Sequence, residues 1–262
     1  MRCLVRGIGD VGSAVAHALH RAGHAVAIHD GSAPTTHRRG MAFVDAMFDG
    51  EATLDGVTAR RIDRPMTVSD VWDRGAIAVY AGPFTGFLEV AAWDVLVDAR
   101  MRKRARPEDQ RPQAPLAIGL GPGFTVGENC HRAVETGWDD LGTIIESGST
   151  APLRGEPRTI LGHARDRLVY APSSGIFTSS RQIGDAVEQG ERIGEIDGLI
   201  LSAPLSGILR GLTRSGVHVE TGSKLIEIDP RGNPETAFGL GERPQRIADA
   251  VLRILATTPP SG

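Results

Sequence analysis

The stretch that most restricts what this chain can fold into is Arg6-Gly7-Ile8-Gly9-Asp10-Val11-Gly12. A short apolar run, Cys3-Leu4-Val5, leads into it, and an alanine-rich segment, Ser13 to Ala22, leads out. Strand, G-x-G-x-x-G and helix in that order form the context of a dinucleotide-binding fingerprint. Gly7 permits the tight turn, Gly9 lets backbone approach a pyrophosphate, and Gly12 lets the helix lie close to the strand. The free amides at the helix start, with the positive end of its dipole, then face an anion. Gly23 closes the helix, and His24 to His29 reads as the next strand. That strand ends at Asp30, near the spacing at which a carboxylate takes the ribose hydroxyls.

Two residues fit a plain dinucleotide site poorly. Asp10 puts a carboxylate beside the expected pyrophosphate, and like charges repel unless a cation intervenes. Arg6 puts a charge where a buried strand end wants an apolar side chain. The plainest arrangement has Asp10 capping the helix and pairing with Arg6. Further on, Pro34-Thr35-Thr36-His37-Arg38-Arg39 is a basic connection. Arg38 and Arg39 can take a ribose phosphate or another anion there, or lie on a solvated loop.

Apolar runs at Ala76 to Tyr80, Val95 to Asp98 and Leu116 to Leu120 predict further strands of the same sheet. Asp98 closes the second of these and is followed by Arg100, Arg102, Lys103 and Arg104. A carboxylate at a strand's carboxyl end, followed by cations, belongs on the ligand-binding edge of an open sheet. Asp10, Asp98 and Lys103 are expected to converge there. The third run enters Gly121-Pro122-Gly123-Phe124-Thr125, a second glycine-rich turn. Thr125 and Glu128 have capping-box spacing, which predicts a helix from here to about Glu135. Two such turns give two anion-accepting positions, which suits a ligand with separated phosphates.

With 262 residues the chain is long enough for two domains, and a net charge of -3 gives no reason to expect nucleic-acid binding. No apolar run reaches the ~18 residues of a membrane span and no basic-then-apolar leader opens the chain, so a cytoplasmic protein is expected. Cys3 and Cys130 cannot form a disulfide framework. Cys130 beside His131 is either a thiol with a depressed pKa or a half-buried helix residue. His17, His20 and His24 share helical spacing without a carboxylate or cysteine, so no metal site is assigned.

From about Thr150 a repeat appears. Ala171-Pro172, Gly175, Gly184, Val187 and Gly190 recur as Ala203-Pro204, Gly207, Gly216, Val219 and Gly222. One shared offset across so many positions indicates internal duplication, and the short β-type runs predict two interlocked units. The expected fold is therefore α/β: a Rossmann-like parallel sheet over residues 1–150, then a small all-β barrel-sandwich hybrid over 151–232. A C-terminal helix, within 233–262, packs back on the body. The β unit resembles the biotinyl/lipoyl-type barrel, but its hairpin tip, Glu195 to Leu199, lacks the lysine that carriers modify.

Arg6-Gly7-Ile8-Gly9-Asp10, Val97-Asp98-Ala99 with Lys103, Ile118 to Thr125 and Ala171 to Phe177 together resemble the selenium-dependent molybdenum hydroxylase accessory family (YqeB-type). A departure lies at Val134 to Gly142, where the family shows a more basic, His-containing pattern. The resemblance implies a role in maturing or supplying the cofactor of a molybdenum hydroxylase, which would be the partner. It implies a phosphate-bearing ligand such as a molybdopterin dinucleotide. Two other readings stand beside it: an NAD(P)-dependent oxidoreductase, and a non-catalytic docking scaffold, in each case open to homo-oligomerisation. The set expected to bind a dinucleotide-type ligand, molybdopterin dinucleotide or NAD(P), is Arg6, Gly7, Gly9, Asp10, Gly12, Asp30, Arg38, Arg39, Asp98, Lys103, Gly121, Gly123, Phe124 and Thr125. No catalytic residue is assigned.

Overall fold

The computed structural model describes residues 1–102, 105–152 and 157–257. Nine strands form one sheet: β1 Arg2–Arg6, β2 Ala25–His29, β3 Glu51–Leu54, β4 Val57–Ile62, β5 Ile77–Tyr80, β6 Val95–Asp98, β7 Leu116–Leu120, β8 Arg132–Val134 and β9 Ile144–Ile145. Their spatial order is β3-β4-β5-β2-β1-β6-β7-β8-β9. The central strands are parallel, whereas β3 and β9 are antiparallel to β4 and β8. Alternate residues of each central strand go to opposite faces. Cys3 and Val5 enter one core with Val26, Ile28, Val95 and Val97, while Leu4 enters another with Ala27, Ala78 and Leu96. Both faces are thus covered, which explains why these strands read as continuous apolar runs.

Helix α1 (Asp10–Arg21) lies on the first face with α2 (Ala46–Asp49), and α3 (Val68–Asp73) and α4 (Phe84–Leu88) cover the second. The last helix, α5 (Glu242–Thr257), repeats apolar residues at helical spacing. It buries Ile247, Val251 and Ile254 in the same core as Val11, Val15 and Leu19 of α1.

Eight further strands follow: β10 Leu168–Tyr170, β11 Gly175–Thr178, β12 Ala186–Val187, β13 Arg192–Ile196, β14 Leu199–Ser202, β15 Gly207–Leu212, β16 Val217–Val219 and β17 Lys224–Asp229. They form two antiparallel sheets, β10-β17-β15-β12 and β14-β13-β11-β16. The repeats exchange strands: β11 of the first pairs with β16 of the second, and β12 of the first pairs with β15 of the second. Phe177, Leu209, Val219 and Leu225 fill the space they share.

The expected Rossmann-like parallel sheet followed by a barrel-sandwich hybrid is corrected by this topology. The large sheet is mixed, with antiparallel strands at both ends. The described part of the β6–β7 connection carries only the 3₁₀ turn Arg111–Gln113 in place of a crossover helix, and β7 reaches β8 without one. The helix expected from Thr125 to Glu135 is absent, because Arg132–Val134 is drawn into the sheet as β8. The later strands form two separate four-stranded sheets.

Candidate functional site

The turn after β1 is held by its neighbours on both sides. Gly7 has φ +106°, a region that L side chains rarely adopt, and donates its N–H to the His29 carbonyl at 2.8 Å. A methyl group on Gly7 would lie 2.8 Å from the Ala99 carbonyl, and one on Gly12 would overlap the Gly7 oxygen. These contacts explain both glycines: helix α1 approaches β1 closer than any side chain allows. Gly9 is the N-cap of α1 and offers it no side-chain cap. Asp30 serves the turn itself. Its Oδ2 accepts the Ile8 N–H at 2.8 Å and its Oδ1 accepts the Gly31 N–H at 2.7 Å, so it closes the turn. Behind the turn, buried Ser13 donates to the Ile8 carbonyl and accepts from the Phe43 N–H.

Arg6 and Asp98 end adjacent strands in register, and a charged cluster closes over them. Asp98, 2% exposed, accepts from Arg100 at 2.5 and 3.0 Å and from the Gln110 side-chain amide at 2.6 Å. Glu108 accepts from Arg6 at 2.6 Å and from Arg100 and Arg102 at 2.7 Å each. Burial works to raise both carboxyls, and the guanidinium donors outweigh it, holding both below the usual range. Arg6 is 6% exposed and lies 3.7 Å from the centroid of the Phe84 ring. Its Nε is buried without a hydrogen-bond partner. Burial and the neighbouring Arg100 lower its pKa. Three guanidiniums thus face two carboxylates.

Asp10 does not pair with Arg6. It accepts from Arg38 Nη1 at 2.8 Å, while Arg38 Nε and Nη2 grip Glu227 at 2.7 and 3.0 Å. Glu227 is fully buried on β17 and also meets Arg167 and, at 3.2 Å, His37. Arg38 therefore ties the first residue of α1 to the antiparallel sheets. Arg39 turns away, to Asp45 and the Leu212 carbonyl. Neither arginine lies on a solvated loop. Asp10 and Asp98 take different arginines, so the expected convergence of Asp10, Asp98 and Lys103 does not form between the two acids. Lys103 itself lies outside the described residues.

The second glycine turn is fixed by a residue the sequence did not single out. Asn129 Oδ1 accepts the Thr125 N–H at 2.8 Å, and its Nδ2 donates to the carbonyls of Gly123 and Pro107. Thr125 Oγ1 meets Ser149, and Glu128 pairs with Arg106, so neither caps a helix. Phe124 is buried with its ring against Gly119, and Gly121 donates to the Val134 carbonyl. Cys130 is buried and its thiol is pushed up to about 11 by desolvation, the opposite of activation. Its neighbour His131 is occupied as acceptor for the Ala117 N–H. Among the described residues no group of three or more His, Cys, Asp or Glu side chains is placed to hold a metal ion, and no helix is long and apolar enough to cross a membrane.

Because β1, β6 and β7 are neighbours, their carboxyl-end turns stand side by side. The Gly7 turn abuts Ala99 and the Gly121 turn abuts Met101. Of the residues missed, Glu227 had a signal: an acid inside the apolar run Leu225-Ile226-Glu227-Ile228 demands a buried cation. Gln110 and Glu108, within a charged loop, had none.

No family model matches the chain. The uncharacterized protein YqeB of Escherichia coli (strain K12) is 37% identical over 255 residues, which are 96% of this chain and 47% of that protein. The chain is thus similar to YqeB and spans about half the length of that curated relative. Three solved structures overlap with it weakly. A succinylglutamate desuccinylase from Silicibacter sp. TM1040 is 14% identical, covers 87% of this chain and 84% of its own, and gives a TM-score of 0.25. The product-bound ectoine utilization protein EutE from Ruegeria pomeroyi gives 13%, 87%, 84% and 0.26. An aspartoacylase family protein from Mesorhizobium loti gives 13%, 87%, 83% and 0.26. At these TM-scores no activity carries over to this chain. The functions expected from the sequence, a molybdenum-cofactor accessory protein or an NAD(P)-dependent oxidoreductase, are not matched by these structures, which are of desuccinylase and aspartoacylase type. Of the residues expected to hold a dinucleotide, Asp30 closes the turn after β1, Arg38 bridges Asp10 and Glu227, and Arg39 turns away to Asp45.

Proposed function

We propose that this chain binds a small oxyanion-bearing molecule, a phosphate or carboxylate compound, over the turns that follow β1, β6 and β7. The observation that carries the reading is Arg6, a buried guanidinium whose Nε has no hydrogen-bond partner, within a cluster of three arginines and two carboxylates. A buried cation without full compensation is costly, and an anion arriving at its rim relieves that cost. The turns of parallel strands at their carboxyl ends are the usual place for such ligands in open sheets. Arginine suits the task because it stays charged and presents a planar fork to phosphate or carboxylate oxygens.

The test is titration calorimetry on the whole chain with pyrophosphate, inorganic phosphate and citrate. Saturable binding is expected for at least one of them. Arg102 is the most exposed of the three arginines, so Arg102→Met should spare the fold and weaken binding about tenfold. If no probe binds, or the variant binds each as tightly as the parent, the reading fails.

A further inference from the structure

A second site lies away from that edge. Where the connection after β2 meets the turns β11–β12 and β15–β16, the surface forms an open cavity of about 450 Å³, bordered by Arg39, Arg181, Arg214, Asp45, Ile183 and Phe238. Its size falls within the ~300–1,000 Å³ range of small-molecule pockets. We propose that this cavity binds a planar ring carrying an anionic group, the ring against Phe238 and the anion against the arginines.

The ring half rests on Phe238. Phe43, Phe87 and Phe177 are fully buried, whereas Phe238 is 51% exposed at the cavity wall. A large exposed aromatic is informative when it is held in place rather than mobile. Phe238 is held. Its ring lies so close to the backbone of Gly40 and Gly184 that a methyl group on either would come within 2.9 or 3.0 Å of it. Its N–H donates to Glu235, and the following Gly239 N–H donates to the Gly40 carbonyl. One side of the ring is therefore seated on glycine, and the exposed remainder is a fixed surface on which a flat ligand stacks at little entropic cost.

The anion half rests on the arginines. Each is aimed by an acid: Arg39 by Asp45, Arg214 by Asp49 at 2.5 and 2.7 Å, and Arg181 by Glu191. Of these acids only Asp45 borders the cavity, so three guanidiniums meet one carboxylate along the wall. A guanidinium has five N–H donors, and even with Arg39 also donating to the Leu212 carbonyl and Arg214 also meeting Asp45 at 3.5 Å, some are left for a ligand. The cations are thus oriented in advance, with guanidinium N–H groups to spare along the wall.

Two chemical sources share this description, a nucleotide and a simple aromatic anion, and the probes separate them. Calorimetry and saturation-transfer NMR on the whole chain use adenosine monophosphate, phenyl phosphate and inorganic phosphate. Saturable binding of one or both ring probes is expected. Phe238→Leu retains an apolar contact with the two glycines and should weaken the ring probes about tenfold while leaving inorganic phosphate unchanged. Arg214→Met should weaken all three, and Arg214→Lys, which retains the charge beside Asp49, should recover part of the loss. Tighter binding of adenosine monophosphate assigns the ring to a nucleobase, and tighter phenyl phosphate assigns it to an aromatic anion. Arg102→Met, at the other site, should leave the ring probes unaffected, so failure of the edge site and failure of this one are distinguishable. The proposal is overturned if neither ring probe binds at millimolar concentration, or if Phe238→Leu and Arg214→Met both bind the ring probes like the parent.

Discussion

After β1 the chain turns through Gly7-Ile8-Gly9 into the 12-residue helix α1. After β7 it turns through Gly121-Pro122-Gly123 and comes back as β8 with no helix between. The segments differ in the residues that come after the glycines. Val11-Gly12-Ser13-Ala14-Val15-Ala16 supplies residues that bury one face against α5, and Gly12 lets the helix sit on β1. Thr125, Val126, Gly127 and Asn129 are weak helix formers, and Gly127 takes φ +84°, which a right-handed helix forbids. The Asn129 amide then satisfies the backbone groups that a helix would have used. Glycine spacing thus allows a tight turn, and the residues beyond it decide whether a helix begins.

The largest expected effect concerns how each turn is anchored. The first is tied through Asp10 to Arg38 and Glu227, largely buried, whereas the second offers Glu128 to Arg106, both exposed. Arg38→Met removes the main donor to a buried carboxylate and should destabilise by about 3 kcal/mol, toward the low end for a broken buried pair because Arg167 still contacts Glu227. Arg106→Met should cost less than about 1 kcal/mol. Urea unfolding of both variants checks the difference, and equal losses would break the contrast.

The same pair sets a pH dependence. Burial works to raise Asp10 and Glu227, and Arg38 outweighs it, so both sit below their ordinary values. A carboxyl depressed in the folded state stabilises above its unfolded pKa, near ~4, and that stability is lost as pH falls through the lower folded value. The parent should therefore lose stability steeply below about pH 4. In Arg38→Met this acid limb should flatten, which melts between neutral and acid pH will show. An unchanged slope would mean that the depression of these carboxyls does not come from Arg38.

Next in size is close approach. A methyl group on Gly12 overlaps the Gly7 carbonyl, so Gly12→Ala must push α1 off the sheet and should cost about 2–3 kcal/mol. Gly127 has open space around it and only its left-handed backbone to lose, about 1–2 kcal/mol on alanine substitution. Asn129→Ala frees a buried amide and two carbonyls and should cost about 1–2 kcal/mol, as thermal melts can measure. If Asn129→Ala is neutral, the second turn is held by its glycines after all.

How much of this was legible depends on sequence distance. The central strands were, because burial on both faces leaves continuous apolar runs such as Ala76 to Tyr80 and Leu116 to Leu120. The first turn was, because Gly7 and Gly12 each answer a local steric demand. The partner of Asp10 was not. Arg38 reaches Glu227 across 189 positions, and no local pattern carries that pairing. The strand directions at the sheet's ends were equally hidden, since β3 and β9 depend on hydrogen bonding rather than composition. The Rossmann and barrel-sandwich labels extended local motifs to whole architectures that those motifs do not determine.

The smallest expected structural effect is the most informative about function. Gly9 shares the first turn with Gly7 and Gly12 but not their crowding. Its φ of -63° suits any residue, and the nearest atom to an added methyl group is Thr36 Oγ1, 3.9 Å away. Alanine therefore fits, and the loss of a glycine N-cap should cost no more than about 1 kcal/mol. Nothing in the fold requires glycine here. What glycine offers is bare backbone at the start of α1, where the amide dipoles end, beside the cluster containing Arg6. If an oxyanion sits over this turn, the added methyl group meets it, and Gly9→Ala should weaken pyrophosphate or citrate binding by about tenfold or more at nearly unchanged thermal stability. The two readouts separate the roles. A variant that melts with the parent and binds less marks Gly9 as ligand-facing. A variant that melts with the parent and binds equally moves the ligand off the first turn, leaving the arginines after β6 to hold it without help from the helix.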